Sequence, residues 1–173
     1  MLIFLLAFIV TLFKVPAEES YNDIDQIVEV INLAYQRQPF NRMDRVRITS
    51  AQLNELIANP SNQLFLLSTD NTICGTVFLR GSEISLFAIH PDFQGRGYGE
   101  QLLISAERQA FKNYDSVHLK VIPLFQEKLI DYYERMGYNF FGYEALAKEK
   151  LDRIQERYHD QVYALILEKK RPH

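Results

Sequence analysis

The sequence predicts an α/β (α+β) chain built on a central sheet of mixed direction. Apolar residues recur at steps of three and four in some stretches and alternate in others, so helices and strands interleave. Three strand-like runs follow one another with only Asp70-Asn71 and Gly81-Ser82 between them, the tight turns of an antiparallel meander. Two strand–helix–strand passages come next, and they suggest at least one parallel crossover.

Ile9 to Val15 form the expected first strand, preceded by an apolar extension over residues 1–8. The run MLIFLLAFIVTLF falls short of the roughly 20 apolar residues of a spanning helix. Unlike a signal peptide, it has no basic residue before Lys14. A buried first strand, a membrane-associating or signal-anchor segment, and a dimer-contact arm are the three readings of it. SYNDIDQIVEVINLAYQ is a helix with Ile24, Ile27, Val28, Ile31, Ala34 and Tyr35 on one face. Ser20 with Asp23 resembles a capping box, with Asp in place of the usual Glu or Gln. QPFNRMDRVRI is a loop, and TSAQLNELIAN a short helix stopped by Pro60.

QLFLLST, TICGTVFLR and EISLFAIH are the meander strands. Residues 100–111 form a helix with Leu102, Leu103, Ala106 and Ala110 on one face. SVHLKVI alternates Val117, Leu119 and Val121, the period of a half-buried strand. LFQEKLIDYYERMGY is a helix closed by Gly137. NFFGYEA and QVYALILEK are the last strands, and LAKEKLDRIQERYHD between them reads as a charged surface helix. No repeat or Pro/Gly-rich linker divides the chain, so one domain is expected over residues 1–173.

Composition narrows the function classes. Hydrophobic residues make up 47% of the chain and charged residues 24%, which suits a globular protein with a full core. A net charge of −3 lacks the basic footprint of a nucleic-acid binder, yet allows a local anion site. Cys74 is the lone cysteine, so no internal disulfide or CxxC pair exists; its apolar setting predicts a buried strand residue. His90, His118, His159 and His173 show no ligand spacing, and no metal is expected.

The densest signal is HPDFQGRGYGEQLL, where Gly95, Gly97 and Gly99 lie between a strand and a helix. A helix start offers unpaired N–H groups and the positive end of a dipole, and glycine lets an anion approach the backbone. A diphosphate seat is the first reading; a glycine-rich left-handed turn with no ligand is the other. The loop is no Walker motif, since Glu100-Gln101 follow Gly99, and no Rossmann fingerprint, since Glu100 and Leu102 stand where a third glycine belongs.

AIHPDFQGRGYGEQLLISAE resembles the central motif of the GNAT superfamily of acyl-CoA-dependent N-acyltransferases. Gln94, Gly97 and Gly99 fit its pattern, as does the lead-in of Ile89 and Pro91. YYERMGYNFFGYE is similar to the family's second motif, with Tyr133, Gly137 and Tyr138 in its places. The resemblance implies a largely antiparallel sheet of about seven strands, flanked by helices and splayed between the fourth and fifth strands. It implies acetyl-CoA as cosubstrate. The backbone of Phe87, Ala88 and Ile89 would receive the pantetheine arm, and the amides of Gln94, Gly95, Arg96, Gly97, Tyr98 and Gly99 the pyrophosphate. Tyr133 takes the place of the general acid. Gln126 stands where the family often carries an Asn that touches the cofactor. EISLFAIHPDFQGRGYG aligns without a gap on the matching stretch of histone acetyltransferases, which puts Glu83 in the place of the general base.

The family places its acceptor beside the first helices. Tyr35, Arg37, Phe40, Arg42, Arg45 and Arg47 occupy that region, and its arginines suit a carboxylate or phosphate on the acceptor as well as a solvated loop. The expected function is acetyl transfer from acetyl-CoA to a primary amine of a small molecule in a ternary complex. A protein N-terminus or lysine is the alternative acceptor, and a non-catalytic acyl-CoA-binding module the alternative class. A cytoplasmic monomer or homodimer is expected, with no nucleic-acid partner.

Overall fold

The structure is a computed structural model that describes residues 10–14, 23–39, 41, 42, 44–124 and 126–172. The apolar extension, Ser20 and Phe40 lie outside the described residues. In chain order the elements are β1 (Val10–Lys14), α1 (Ile24–Gln36), α2 (Ser50–Ala58), β2 (Asn62–Thr69), β3 (Thr72–Arg80), β4 (Glu83–Ile89), α3 (Tyr98–Ala110), β5 (Ser116–Val121), α4 (Glu127–Arg135), β6 (Asn139–Ala145), α5 (Lys148–Leu151) and β7 (Tyr163–Lys170).

The seven strands form one sheet in the order β1-β2-β3-β4-β5-β7-β6. Every neighbouring pair is antiparallel except β4 and β5. The meander arises where the turn residues predict it: Asp70 and Asn71 take φ of 50° and 62°, the left-handed conformation of a tight hairpin turn. Helices cover both faces. Val77, Leu79, Ile84, Leu119 and Val121 pack with Leu102, Leu103 and Ala106 on the α3–α4 side. Leu64, Leu66, Phe78, Leu86 and Ala88 pack with Ile27, Ile31 and Leu53 on the α1–α2 side.

Two local features differ from the sequence expectation. The capping box belongs to α2: Thr49 Oγ1 accepts from Gln52 N at 3.3 Å, and Thr49 N donates to Gln52 Oε1 at 3.0 Å. At α1 the cap residue is Asp23, whose side chain makes no cap bond. The second difference is LAKEKLDRIQERYHD, which is no continuous helix. It breaks into the four-residue α5 and a 3-10 turn over Glu156–Gln161. Burial overrides the helical pattern here. Ile154 packs with Leu146, Val162 and Ala164 and bridges to Asn41 in the loop after α1.

Helix α4 ends as its glycine predicts. Gly137, at φ 88°, donates to Glu134 O at 2.9 Å, and Tyr138 N donates to Tyr133 O at 3.0 Å. This left-handed cap turns the chain back so that Tyr138 is buried beside Tyr133.

The parallel junction is short. Strands β4 and β5 pair through Glu83 with His118 and Ile84 with Leu119, and then separate. A bulge in β4 accompanies the separation. Ser85 lies opposite Phe78 and Ala88 opposite Thr76, so the β4 side carries one residue more. Leu86 sits in the bulge at φ 44°, a conformation that costs an ordinary L-residue about 1–2 kcal/mol. Its carbonyl accepts from Thr76 Oγ1 at 2.9 Å, and its side chain is buried against the α1–α2 side.

Candidate active site

A cleft of about 1180 Å3 occupies the opening between β4 and β5 and takes its lining from both faces of the sheet. Phe87, Ala88 and Ile89 form its β4 wall. His90 N donates to Cys74 O on β3 at 2.8 Å. Backbone direction alternates along a strand, so Ala88 also turns its backbone toward β3, while Phe87 and Ile89 turn theirs into the opening. The Ile89 carbonyl accepts from the Gln94 side chain at 3.1 Å rather than from a strand.

The glycine turn closes one end. Gly95 and Gly97 take φ of 76° and 78°, and a Cβ on either would meet no atom within 4 Å. Their bareness therefore serves conformation and access rather than packing. Gly97 caps α3 with no side chain over the helix end, and the first helical bond is Gln101 N to Gly97 O at 3.3 Å. The amides of Tyr98, Gly99 and Glu100 are left without helical partners, which is the arrangement that holds an anion. Gly99 is packed: its Cβ position lies 3.3 Å from Phe87 Cζ and 3.5 Å from Tyr132 Oη. Arg96 turns away from the cleft, donating to Asp92 O at 3.1 Å over the ring of Phe93.

Tyr133 reaches the cleft from α4 while only 6% exposed. Its ring lies 5.3 Å from Tyr132, 5.7 Å from Tyr138 and 6.4 Å from Phe87, centre to centre. Burial first, and then the neighbouring hydroxyls of Tyr35 and Tyr132, push its pKa well above the ordinary tyrosine value. The phenol is thus held protonated. Gln126 caps α4 without a side-chain cap bond and lines the cleft.

Glu83 enters from the first residue of β4, with Oε2 held by Arg80 at 3.0 Å. Of the arginine run, Arg47 alone lines the cleft, with its guanidinium 4.9 Å from the centre of the Tyr35 ring. Arg42 and Arg45 turn to Asp44 instead, and Arg37 is exposed. Beside Arg80, which is paired with Glu83, further cations of that end come from distant segments: Lys120 on β5, paired with Glu144 at 2.8 Å, and Lys150 and Arg153 in and after α5. The loop after α1 meets this segment directly, with Arg42 N donating to Arg153 O at 2.8 Å and Gln155 Nε2 to Pro39 O at 3.0 Å.

The structure thus brings Glu83, Phe87, Ala88, Ile89, Gln94, Gly95, Gly97, Tyr98, Gly99, Gln126 and Tyr133 to one cleft, with Arg96 outside it. Sequence reasoning passes over Leu86, Lys120, Lys150 and Arg153. A leucine inside an apolar strand gives no sign of a left-handed bulge, and lysines on a surface-like pattern give no sign of convergence. Cys74 is fully buried, as expected, with Sγ 3.2 Å from Leu67 O.

A family model described as an acetyltransferase (GNAT) domain matches residues 31–151. The ribosomal-protein-S18-alanine N-acetyltransferase from Escherichia coli superposes with a TM-score of 0.68 at 16% identity, covering 94% of each chain. The PaiA N-acetyltransferase from Thermoplasma acidophilum, in complex with coenzyme A, gives 0.68 at 17% identity, covering 94% of this chain and 99% of that one. A putative phosphinothricin N-acetyltransferase gives 0.70 at 16% identity, covering 95% and 100%. No curated protein matches by sequence. At these identities the structural likeness is one of fold, and it agrees with the family match. With the open parallel junction, the bare helix start and both sequence motifs in one cleft, the chain belongs to the GNAT acetyltransferase family.

Proposed function

We propose that this protein transfers the acetyl group of acetyl-CoA to a primary amine of a small molecule, by direct attack within a ternary complex. The observation that carries the reading is the cleft itself. It joins the bare N-terminus of α3, the opened side of β4 and the buried Tyr133 hydroxyl to a second, charged end across the sheet. Two substrates can meet there from opposite faces.

The site fits acetyl-CoA. The amides from Gly95 to Gly99 suit a pyrophosphate, since a Cβ on Gly95 or Gly97 would meet open space, whereas the Gln94 amide is turned to Pro91 O at 3.4 Å. An extended pantetheine arm suits the backbone groups of Phe87 and the N–H of Ile89, whose carbonyl is held by the Gln94 side chain, in the manner of an added strand. Ala88 contributes wall rather than backbone bonds, and Arg96 contributes its amide. Gln126 faces the cleft with its amide uncommitted to the helix cap.

In the reaction, the amine nitrogen bonds to the thioester carbonyl carbon and the carbon–sulfur bond breaks. Tyr133 hydrogen-bonds to the departing sulfur and yields its proton as charge builds there; its raised pKa keeps that proton in place beforehand. The proton lost by the amine passes to Glu83, directly or through water. Orienting the two substrates across the opening supplies much of the rate.

Release of CoA thiol is measured with a panel of small primary amines. Tyr133→Phe keeps the packing of the ring and is expected to lower kcat by about 10^2–10^4-fold, with acetyl-CoA affinity unchanged. Equal rates from wild type and variant would sink the acid role. The gap-free Glu83 motif favours a protein acceptor as the second reading, so peptides with free N-termini and lysines are assayed beside the amines. Peptides modified while every small amine stays intact would replace the first reading. Tight acetyl-CoA binding with no transfer to any acceptor would replace both with a binding module.

A further inference from the structure

The cleft has a strongly cationic end that lies across the sheet from the glycine turn. On β5, Val117, Leu119 and Val121 point into the α3–α4 core, so Lys120, between them, points to the opposite face. Arg47 reaches the same end from the loop before α2, where Asn32 Oδ1 accepts from Arg47 N at 2.7 Å and Ile48 N at 3.1 Å. Lys150 and Arg153 complete it. Lys120 has a counter-ion in Glu144, and Arg80 has one in Glu83. Among the described residues, Arg47, Lys150 and Arg153 make no ion pair.

All three are only half-exposed. Burial first, then Lys120 and Arg47, lower the pKa of Lys150 against the opposing pull of Glu144 and Glu83; burial first, then Arg47, lowers that of Arg153 against Glu149 and Asp152. Both shifts reflect desolvated cations that repel one another. The cost stands out in a chain of net charge −3, which has acidic side chains to spare for pairing. An incoming anion would remove it: Arg153 Nη1 donates to Glu149 O at 3.0 Å, and its remaining donors with the guanidinium of Arg47 suit the paired oxygens of a carboxylate or phosphate.

We propose that the acceptor is an anionic amine, whose carboxylate or phosphate is seated by Arg47, Lys150 and Arg153 so that its amino group faces the opening beside Tyr133. The proposal rests on the N-acetyltransferase reading for the amine, whereas the anion seat rests on the cations alone. The same cations repel a second ammonium group, so diamines are rejected. The seat lies on the α1–α2 side, apart from the amides that suit the cosubstrate's pyrophosphate.

The test measures binding and turnover separately on the full chain saturated with CoA or acetyl-CoA. Calorimetry compares 4-aminobutyrate, O-phosphoethanolamine, butylamine and putrescine. The expected result is at least about tenfold tighter binding of an anionic probe than of butylamine, with putrescine weakest. The two anionic probes separate carboxylate from phosphate. Arg47→Gln and Arg153→Gln should each erase the preference while acetyl-CoA affinity is retained. Lys150→Glu should reverse it toward putrescine, a gain that a misfolded variant cannot give. Equal binding of all four probes to wild type overturns the anion seat even if every amine is acetylated. A preserved preference with no CoA release would instead overturn the transferase reading and leave the seat standing.

Discussion

Lys169 Nζ lies 2.7 Å from Glu107 Oε2, tying β7 to α3 beneath the ring of Tyr138. The Glu107 side chain is only 6% exposed. Removing the lysine charge would strand a carboxylate in an apolar corner. Lys169→Met should lower unfolding free energy by about 3 kcal/mol. Lys169→Met with Glu107→Leu should recover most of that loss, since an apolar pair of similar volume replaces the ions. Urea unfolding of the single and double variants checks this; a double variant as unstable as the single one contradicts it.

The same corner sets a pH limit. Tyr132, Tyr133 and Tyr138 have raised pKa values, in each case through burial first, with Glu107 adding to the shift at Tyr138. Unfolded, they titrate near ~10. Below that pH both states hold the phenolic protons and this stability is fully present. Above it the unfolded chain sheds protons that the folded chain keeps, so stability falls as pH rises toward the folded values. Melting curves from neutral pH upward should show wild type losing ground to Tyr133→Phe/Tyr138→Phe only beyond about pH 10. A gap between them that never changes with pH would rule this out.

Gly97 and Gly142 offer a matched comparison, because a Cβ on either meets nothing within 4 Å. Only Gly97 has a left-handed φ, 78°, and only Gly97 opens onto the α3 N-terminus. Gly97→Ala should cost about 1–2 kcal/mol of stability and weaken acetyl-CoA binding by about tenfold or more. Gly142→Ala should do neither. Thermal melts and acetyl-CoA titration of both variants decide the matter.

Cys74 should be silent toward thiol reagents. Burial raises its thiol pKa to about 11, and the side chain has no exposed surface. An aromatic disulfide reagent should label the protein only as denaturant unfolds it, with labelling tracking the unfolding curve. Fast labelling of the native protein would show that β3 opens locally.

Much of the framework is readable from residue pattern. Asp70-Asn71 marks its own turn, Gly137 its own helix end, and alternating Val117, Leu119 and Val121 their own strand, because each signal acts within a few residues. The glycine turn is legible for the same reason. What escapes local reading depends on distant contacts. Ile154 breaks an otherwise helical charged stretch because it packs under Leu146 and Val162. Leu86 adopts a left-handed conformation because Thr76 and the α1–α2 core hold it there. Arg47 is one of four similar arginines until the fold turns Arg42 and Arg45 to Asp44 and leaves Arg47 beside Lys150 and Arg153.

An open sheet ordinarily has two rims. Among the described residues this one has four, because β4 and β5 each keep a flank unpaired with any strand after Ile84 and Leu119 part company. A bare flank is adhesive toward any extended chain. Here the two inner flanks face each other within the molecule, where a slender ligand can bridge them. Such a ligand would act as a removable eighth strand, and the domain's rigidity would rise and fall with each turnover.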